Sequence, residues 1–258
     1  MKISILCQET EGMPHAEYLA NKYGWSLNQA ADVQLLYGSE RIALKVGQFK
    51  PLSVDFCQGN LAKRLSKAGK NQPLAKACLA SQKPVILDLS AGWGRDSAIL
   101  ASLGATVTML ERNPVQVLLL EDGLRRLRSS GSVLSKHLSL VHDDAIGYLS
   151  TLNKELVPDV IYFDPMHPER DKAALVKKDM QVLQQIIGED SDKKQVAELA
   201  LSHTNKRLVI KWPRKKAPLL ENPQFSLVGK TIRYDVYLPP ESKAATTMSP
   251  AAIENKKK

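Results

Sequence analysis

The hydrophobic positions of this chain fall into short runs that change their rhythm near residue 60. Before it, apolar runs at 3–7, 33–37, 42–46 and 52–56 are separated by Gly or Pro and read as short strands. Residues 15–23 read as a helix closed by Gly24. Residues 1–60 are therefore expected to form a small α+β segment. After it, apolar runs at 85–87, 107–110, 138–141, 160–163 and 207–212 alternate with helical stretches, among them 74–80, 98–103, 115–127, 172–187 and 192–202. Strands that alternate with helices predict a parallel sheet covered on both faces. Two last runs, 225–230 and 232–238, meet near Gly229 and predict a closing antiparallel hairpin. Residues 61–238 thus read as one α/β domain. Residues 239–258, rich in Pro, Ser, Ala and Lys, read as a disordered tail.

The most informative stretch is 84–114, PVILDLSAGWGRDSAILASLGATVTMLERNP. It reads as strand, glycine turn, helix, strand and acid, the first half of a Rossmann-like unit. Gly92 and Gly94 lack a Cβ, so the turn can tighten and a ligand can approach the backbone. The amides that open the following helix face whatever sits on the turn. Glu111 lies about 20 residues further on, at the end of the second strand, where a carboxylate can accept both hydroxyls of a ribose. A dinucleotide fingerprint would need a third glycine, and Ser97 stands there instead. Asp88, four residues before Gly92, adds an acid suited to a cationic ligand. The pattern apolar–Asp–x–x–x–Gly–x–Gly resembles motif I of the S-adenosylmethionine (SAM)-dependent methyltransferases.

Two later strands end on further candidates. The third leads into His142-Asp143-Asp144-Ala145, where Asp144 or Asp143 can contact an adenine amine or cap the next helix. The fourth delivers Asp164-Pro165-Met166-His167-Pro168 to the edge of the sheet where ligands bind in such folds. This block resembles the Asp/Asn-Pro-Pro-aromatic motif of enzymes that methylate exocyclic base amines. Asp164 and the Pro165 carbonyl could accept the two amine hydrogens, and His167 could stack on a flipped base.

Composition changes the picture in two ways. The formal charge of +9 over 258 residues favours a polyanionic partner such as RNA over a small neutral substrate, although a merely basic soluble protein would show it too. Basic segments at 63–76, 125–128 and 211–216 are the expected phosphate contacts. Three scattered cysteines, Cys7, Cys57 and Cys78, fit reduced thiols in a cytoplasmic protein and not a disulfide framework or a zinc site. No apolar run is long enough to span a bilayer, and the first residues do not read as a signal peptide, so no membrane partner is expected.

Taken together, DLSAGWGRDSAILASLGATVTMLERNP, the Tyr162–Pro168 block, Ala174-Leu175-Val176-Lys177-Lys178 and Arg233-Tyr234-Asp235-Val236-Tyr237 resemble the bacterial ribosomal RNA small-subunit methyltransferase J family. The resemblance implies an α/β, Rossmann-like, seven-stranded class I SAM-dependent methyltransferase with a small N-terminal α+β extension. It implies methyl transfer to N2 of a guanosine near the 3′ end of 16S rRNA, in the small ribosomal subunit or its naked rRNA. It carries cofactor contacts to Arg95, Asp96, Glu111, Arg112, Asp144, Ala145 and Asp164. His167 stands where the family has Phe, and Asp143-Asp144 where it has small or hydroxyl residues. Because the leaving thioether is neutral, no metal is expected. A small-molecule methyltransferase, an NAD-dependent oxidoreductase and a non-catalytic RNA-binding protein remain the alternatives, and a monomer and a dimer are both compatible with the sequence.

Overall fold

The structure is a computed structural model and describes residues 2–165 and 191–240. The expected helix at 172–187, His167 and most of the expected tail lie outside the described residues.

The N-terminal part forms a four-stranded sheet from β1 (Ile3–Cys7), β2 (Ser26–Leu27), β3 (Val33–Tyr37) and β4 (Ile42–Val46), in the order β2-β1-β3-β4. The helix α1 (Met13–Tyr23) opens with Pro14 in its first turn and ends on Gly24, left-handed at φ 67°. The strand expected at 52–56 does not form. Leu52 makes one antiparallel bridge to Leu44, with N–H···O distances of 2.7 and 2.8 Å, and the chain then leaves the sheet. The reason is packing: Val54 and Phe56 are buried as a plug against a helix of the next layer. At Gly123 of that helix an added Cβ would stand 2.7 Å from Val54 Cγ1, so only glycine admits the plug.

Two short helices follow, α2 (Gly59–Ser66) and α3 (Pro73–Ala77). The main layer follows: β5 (Val85–Asp88), α4 (Arg95–Ser102), β6 (Thr106–Glu111), α5 (Pro114–Ser129), β7 (Leu138–His142), α6 (Ala145–Thr151), β8 (Val160–Phe163), α7 (Lys193–Ser202), β9 (Arg207–Pro213), β10 (Phe225–Val228) and β11 (Ile232–Tyr237). The seven strands lie in the order β10-β11-β9-β8-β5-β6-β7, and β11 runs antiparallel to both its neighbours. Strand order reverses between β5 and β8, which opens a crevice at the carboxyl ends of both.

The period-2 alternation of the strands sorts their side chains to the two faces. Ile86, Val107, Met109, Val160, Tyr162 and Val209 join one apolar cluster with α4 and α5. Leu87, Leu110, Ile161, Phe163, Leu208 and Ile210 join a second with α7. The first cluster also takes in Ile5, Leu35 and Leu44 of the N-terminal sheet, so α5 is packed between the two sheets. Arg125 and Arg126 of the basic segment 125–128 are used here. Arg125 donates to the carbonyls of Ser39 and Glu40 at 3.2 and 3.0 Å. Arg126 donates to the Val54 carbonyl and pairs with Asp122 and Asp55 at 3.0 and 3.3 Å. These two guanidinium groups hold the N-terminal part onto α5, a role that only their distant carbonyl partners could reveal, and are not free phosphate contacts.

Candidate active site

Successive parallel strands each bring an ionisable group to the same edge: Asp88 ends β5, Glu111 ends β6, Asp143 follows β7, Asp164 follows β8, and Lys211 sits in the last turn of β9. They line one cleft of about 270 Å³, with Arg64, Gly92, Trp93, Arg95 and Asp96 on its glycine-turn side.

The turn is built from its own side chains. Asp88 is 2% exposed; it accepts from the Ser90 amide at 3.0 Å and from the Ser97 hydroxyl at 2.5 Å. Burial pushes its carboxyl up to about 7, against the pull of those two hydrogen bonds. The Ser90 hydroxyl in turn accepts from the Asp164 amide at 2.7 Å, tying the turn to the end of β8. Gly92 and Gly94 are left-handed, at φ 52° and 66°. A Cβ on Gly92 would meet only Ser90 O, at 3.9 Å, and would otherwise stand in the open cleft. The Gly92 amide donates to Glu111 at 3.1 Å, and the other Glu111 oxygen accepts from the Asn113 amide at 2.9 Å. The glycine turn and the acid of the second strand are thus one unit.

Asp96 opens α4 and reaches across the crevice. Its Oδ2 accepts from the Tyr162 hydroxyl and from Lys211 Nζ, both at 2.8 Å. Burial alone would raise its pKa, but the Lys211 charge and these two bonds outweigh it and hold the carboxyl below its ordinary value. Lys211 Nζ also lies 2.6 Å from Asp164 Oδ2. Burial would favour the neutral amine, yet the two carboxylates hold Lys211 well above the usual lysine range. Lys211 was expected in a phosphate-binding loop; it belongs to β9 and is turned inward between acids.

The two acids after β7 take different places. Asp144 caps α6, accepting from the Ile146 and Gly147 amides at 2.9 Å each, while Asp143 and Ala145 line the cleft. Arg112 pairs with Asp192 at 3.3 Å across the mouth, and the Arg95 guanidinium stands 5.9 Å from the Trp93 ring centre. Pro165 is buried behind Asp164. The structure therefore gathers Asp88, Gly92, Arg95, Asp96, Glu111, Arg112, Ala145 and Asp164 around one cleft, sets Gly94 behind the turn against Leu120 and Phe56, and leaves Asp144 at a helix end. Lys211, Tyr162 and Ser90 join the site unannounced. The one signal for Lys211 was a charge inside an otherwise apolar strand, where unpaired charges are rarely tolerated.

The seven-stranded order with one antiparallel strand, a glycine turn after the first core strand and an acid after the second define the class: a Rossmann-like class I SAM-dependent methyltransferase. The family model described as "Putative SAM-dependent methyltransferase" matches residues 18–239. A protein of Legionella pneumophila named ribosomal RNA small subunit methyltransferase J is 48% identical over 224 residues, 87% of this chain and 91% of that protein. A Coxiella burnetii protein of the same name is 48% identical over 192 residues, 73% of this chain and 75% of its own length. The crystal structure of a SAM-dependent methyltransferase from Neisseria gonorrhoeae superposes with a TM-score of 0.71 at 28% identity, covering 98% of this chain and 100% of that one. This chain belongs to the ribosomal RNA small subunit methyltransferase J family.

Proposed function

We propose that this protein transfers a methyl group from S-adenosylmethionine to the exocyclic N2 amine of a guanosine near the 3′ end of 16S rRNA. The observation that carries the reading is the placement of Asp164, a carboxylate in a proline-flanked segment, hydrogen-bonded through its amide to the glycine turn and facing the same cleft.

The residues of the cleft fit the cofactor. The space above Gly92 is one that any side chain would fill. Glu111, fixed by two amides, lines the cleft as the candidate acceptor for a ribose diol, and Asp143 with Ala145 lines it as the candidate adenine contact. With Asp144 engaged as a helix cap, Asp143 is the better placed of the two. When bound, S-adenosylmethionine supplies a methyl group on a sulfonium, whose bonding pair departs on a neutral thioether. The guanine amine is a weak nucleophile because its lone pair is delocalised into the ring. Asp164 accepts one amine hydrogen and the Pro165 carbonyl the other, which holds the nitrogen pyramidal and aims its lone pair along the breaking bond. The proton left on nitrogen after transfer passes to water.

Three features support an RNA substrate. The relatives carry ribosomal RNA in their name, the chain is strongly basic, and Arg214, Lys215 and Lys216 are exposed on the loop that leaves β9 beside the cleft. That loop is fixed from below. Arg233, paired with buried Asp235 at 2.7 Å, donates to the carbonyls of Pro213, Arg214 and Lys216 at 3.2, 2.8 and 2.8 Å. A cationic loop already held in place loses little entropy on meeting a phosphate backbone. Such a substrate places the reaction in the cytoplasm; among the described residues no helix is long and apolar enough to cross a membrane.

Mass spectrometry of 16S rRNA fragments tests the reading. A strain lacking this protein should lose one N2-methylguanosine near the 3′ end and regain it when the gene is restored. An unchanged methylation pattern would reject the assignment.

A further inference from the structure

The cleft holds a charge arrangement that cofactor binding and base positioning do not require. Three carboxylates from three elements, Asp88 of β5, Asp96 of α4 and Asp164 after β8, converge there. Lys211 is placed between two of them, 2.8 Å from Asp96 and 2.6 Å from Asp164. Tyr234 of β11 stands directly opposite Lys211 in the sheet register, and Tyr162 of β8 donates to the same Asp96 oxygen. Farther out, Arg64 of α2 adds positive potential at Asp96, and the buried Cys78 thiol lies beneath.

We propose that Lys211 is a positioning residue for methyl transfer, which keeps the Asp164 carboxylate ionised and aimed while tying it to the first turn of the cofactor helix through Asp96. The proposal rests on the reading of Asp164 as acceptor of the amine hydrogens.

The physics follows from the number of charges. Two carboxylates that share a site cannot both stay ionised without a cation, because the like charge strongly raises the pKa of one of them. Asp88 already meets burial by holding its proton up to about pH 7. With Lys211 between them, Asp96 is held below its ordinary value and Asp164 is paired with the same ammonium. Without it, the two carboxylates would face each other uncompensated and would share a proton, so that Asp164 is no longer a fixed acceptor. A protonated Asp164 presents a donor where the amine needs an acceptor. The ammonium also makes Asp164 a poor base, so the proton released after transfer goes to water and Asp164 starts each turnover in the same state. Lysine suits this place: a compact ammonium has three donors and can serve two carboxylates at once, while its stem packs along the apolar strand.

The test compares methylation of small ribosomal subunits, purified from a strain lacking the protein, by wild type and by the Lys211→Met, Lys211→Arg and Asp164→Ala variants from pH 5 to 9. Calorimetric binding of S-adenosylhomocysteine serves as the fold control. The wild-type profile is the reference. Lys211→Met should lose about tenfold or more in kcat at pH 7, with KM for the subunit little changed, and the deficit should be larger at the acid end of the range than at the alkaline end. Lys211→Arg should restore most of the wild-type profile. A Lys211→Met enzyme with the wild-type rate and pH profile, beside an inactive Asp164→Ala, would overturn the role of Lys211 and leave that of Asp164 standing. A fully active Asp164→Ala would instead remove the acceptor role, and this proposal with it. Should Lys211→Met fail to bind the cofactor product, nitrogen NMR of the wild-type protein decides. The Lys211 ammonium should exchange its protons more slowly than the surface lysines, and faster in Asp164→Asn than in wild type, where Asp96 alone still holds it; exchange at the surface rate in wild type would overturn the pairing.

Discussion

At the scale of single residues, the site is a set of carboxylates that differ by what surrounds them. Glu111 is buried and held by two backbone amides, so its carboxylate is oriented before any ligand arrives. Glu111→Ala should weaken S-adenosylhomocysteine binding by about 1–3 kcal/mol, the loss of charged hydrogen bonds to a ribose; a wild-type dissociation constant by calorimetry would refute the ribose contact. Under the proposed role of Asp164, Asp164→Ala should keep cofactor affinity within about tenfold and lose methyl transfer; unchanged turnover would refute that role. Asp88 differs in holding a proton. The folded protein keeps its carboxyl protonated up to about pH 7, against an ordinary 3.8 in the unfolded chain. Its contribution to stability is therefore full below about pH 4 and is lost as pH rises through about 7. Asp88→Asn, which keeps the shape without the charge, should gain thermal stability relative to wild type on going from pH 5 to pH 8. A difference in Tm that is independent of pH would show that Asp88 does not titrate in this range.

At the scale of elements, the path of residues 52–56 decides how the N-terminal part is attached. Their alternation of apolar and polar side chains is that of a strand, and the expectation of one was reasonable from pattern alone. The chain turns off after Leu52 because Val54 and Phe56 find a better site on α5, at the gap left by Gly123. Gly123→Ala should test this. Alanine gains about 1 kcal/mol of helix propensity over glycine, but a methyl group 2.7 Å from Val54 Cγ1 demands repacking that costs about 1–3 kcal/mol. The overpacking wins, and the variant should have a lower Tm with cofactor affinity unchanged. A higher Tm would mean that the plug is loosely held.

At the scale of the whole molecule, the cationic surface has been sorted by the fold. Of the basic segments the sequence offered, Arg125, Arg126 and Lys211 are engaged by carbonyls and carboxylates of the protein, while Arg214, Lys215 and Lys216 stay exposed on a braced loop. Replacing those three by Ala should reduce the slope of log affinity for rRNA against log salt by about 2, at roughly 0.7 for each phosphate contact on single-stranded RNA. Cofactor binding should not change. An unaltered salt slope would move the RNA surface elsewhere.

The chain by itself determined the seven core strands, the glycine turn and the acids that end β5, β6 and β8, because each is written in a local rhythm: apolar alternation, a break of small residues, a charge at the end of a run. It also carried the family resemblance that the similar proteins bear out. The tertiary structure alone decided which charges meet. Lys211 lies 47 residues from Asp164 and 115 from Asp96, and only the pairing of β9 with β8 and the placement of the first turn of α4 at the same sheet edge bring them together. The same holds for Arg125, whose carbonyl partners are 85 and 86 residues away. Local pattern encodes which face of an element is apolar; it does not encode which distant element will supply the counter-charge.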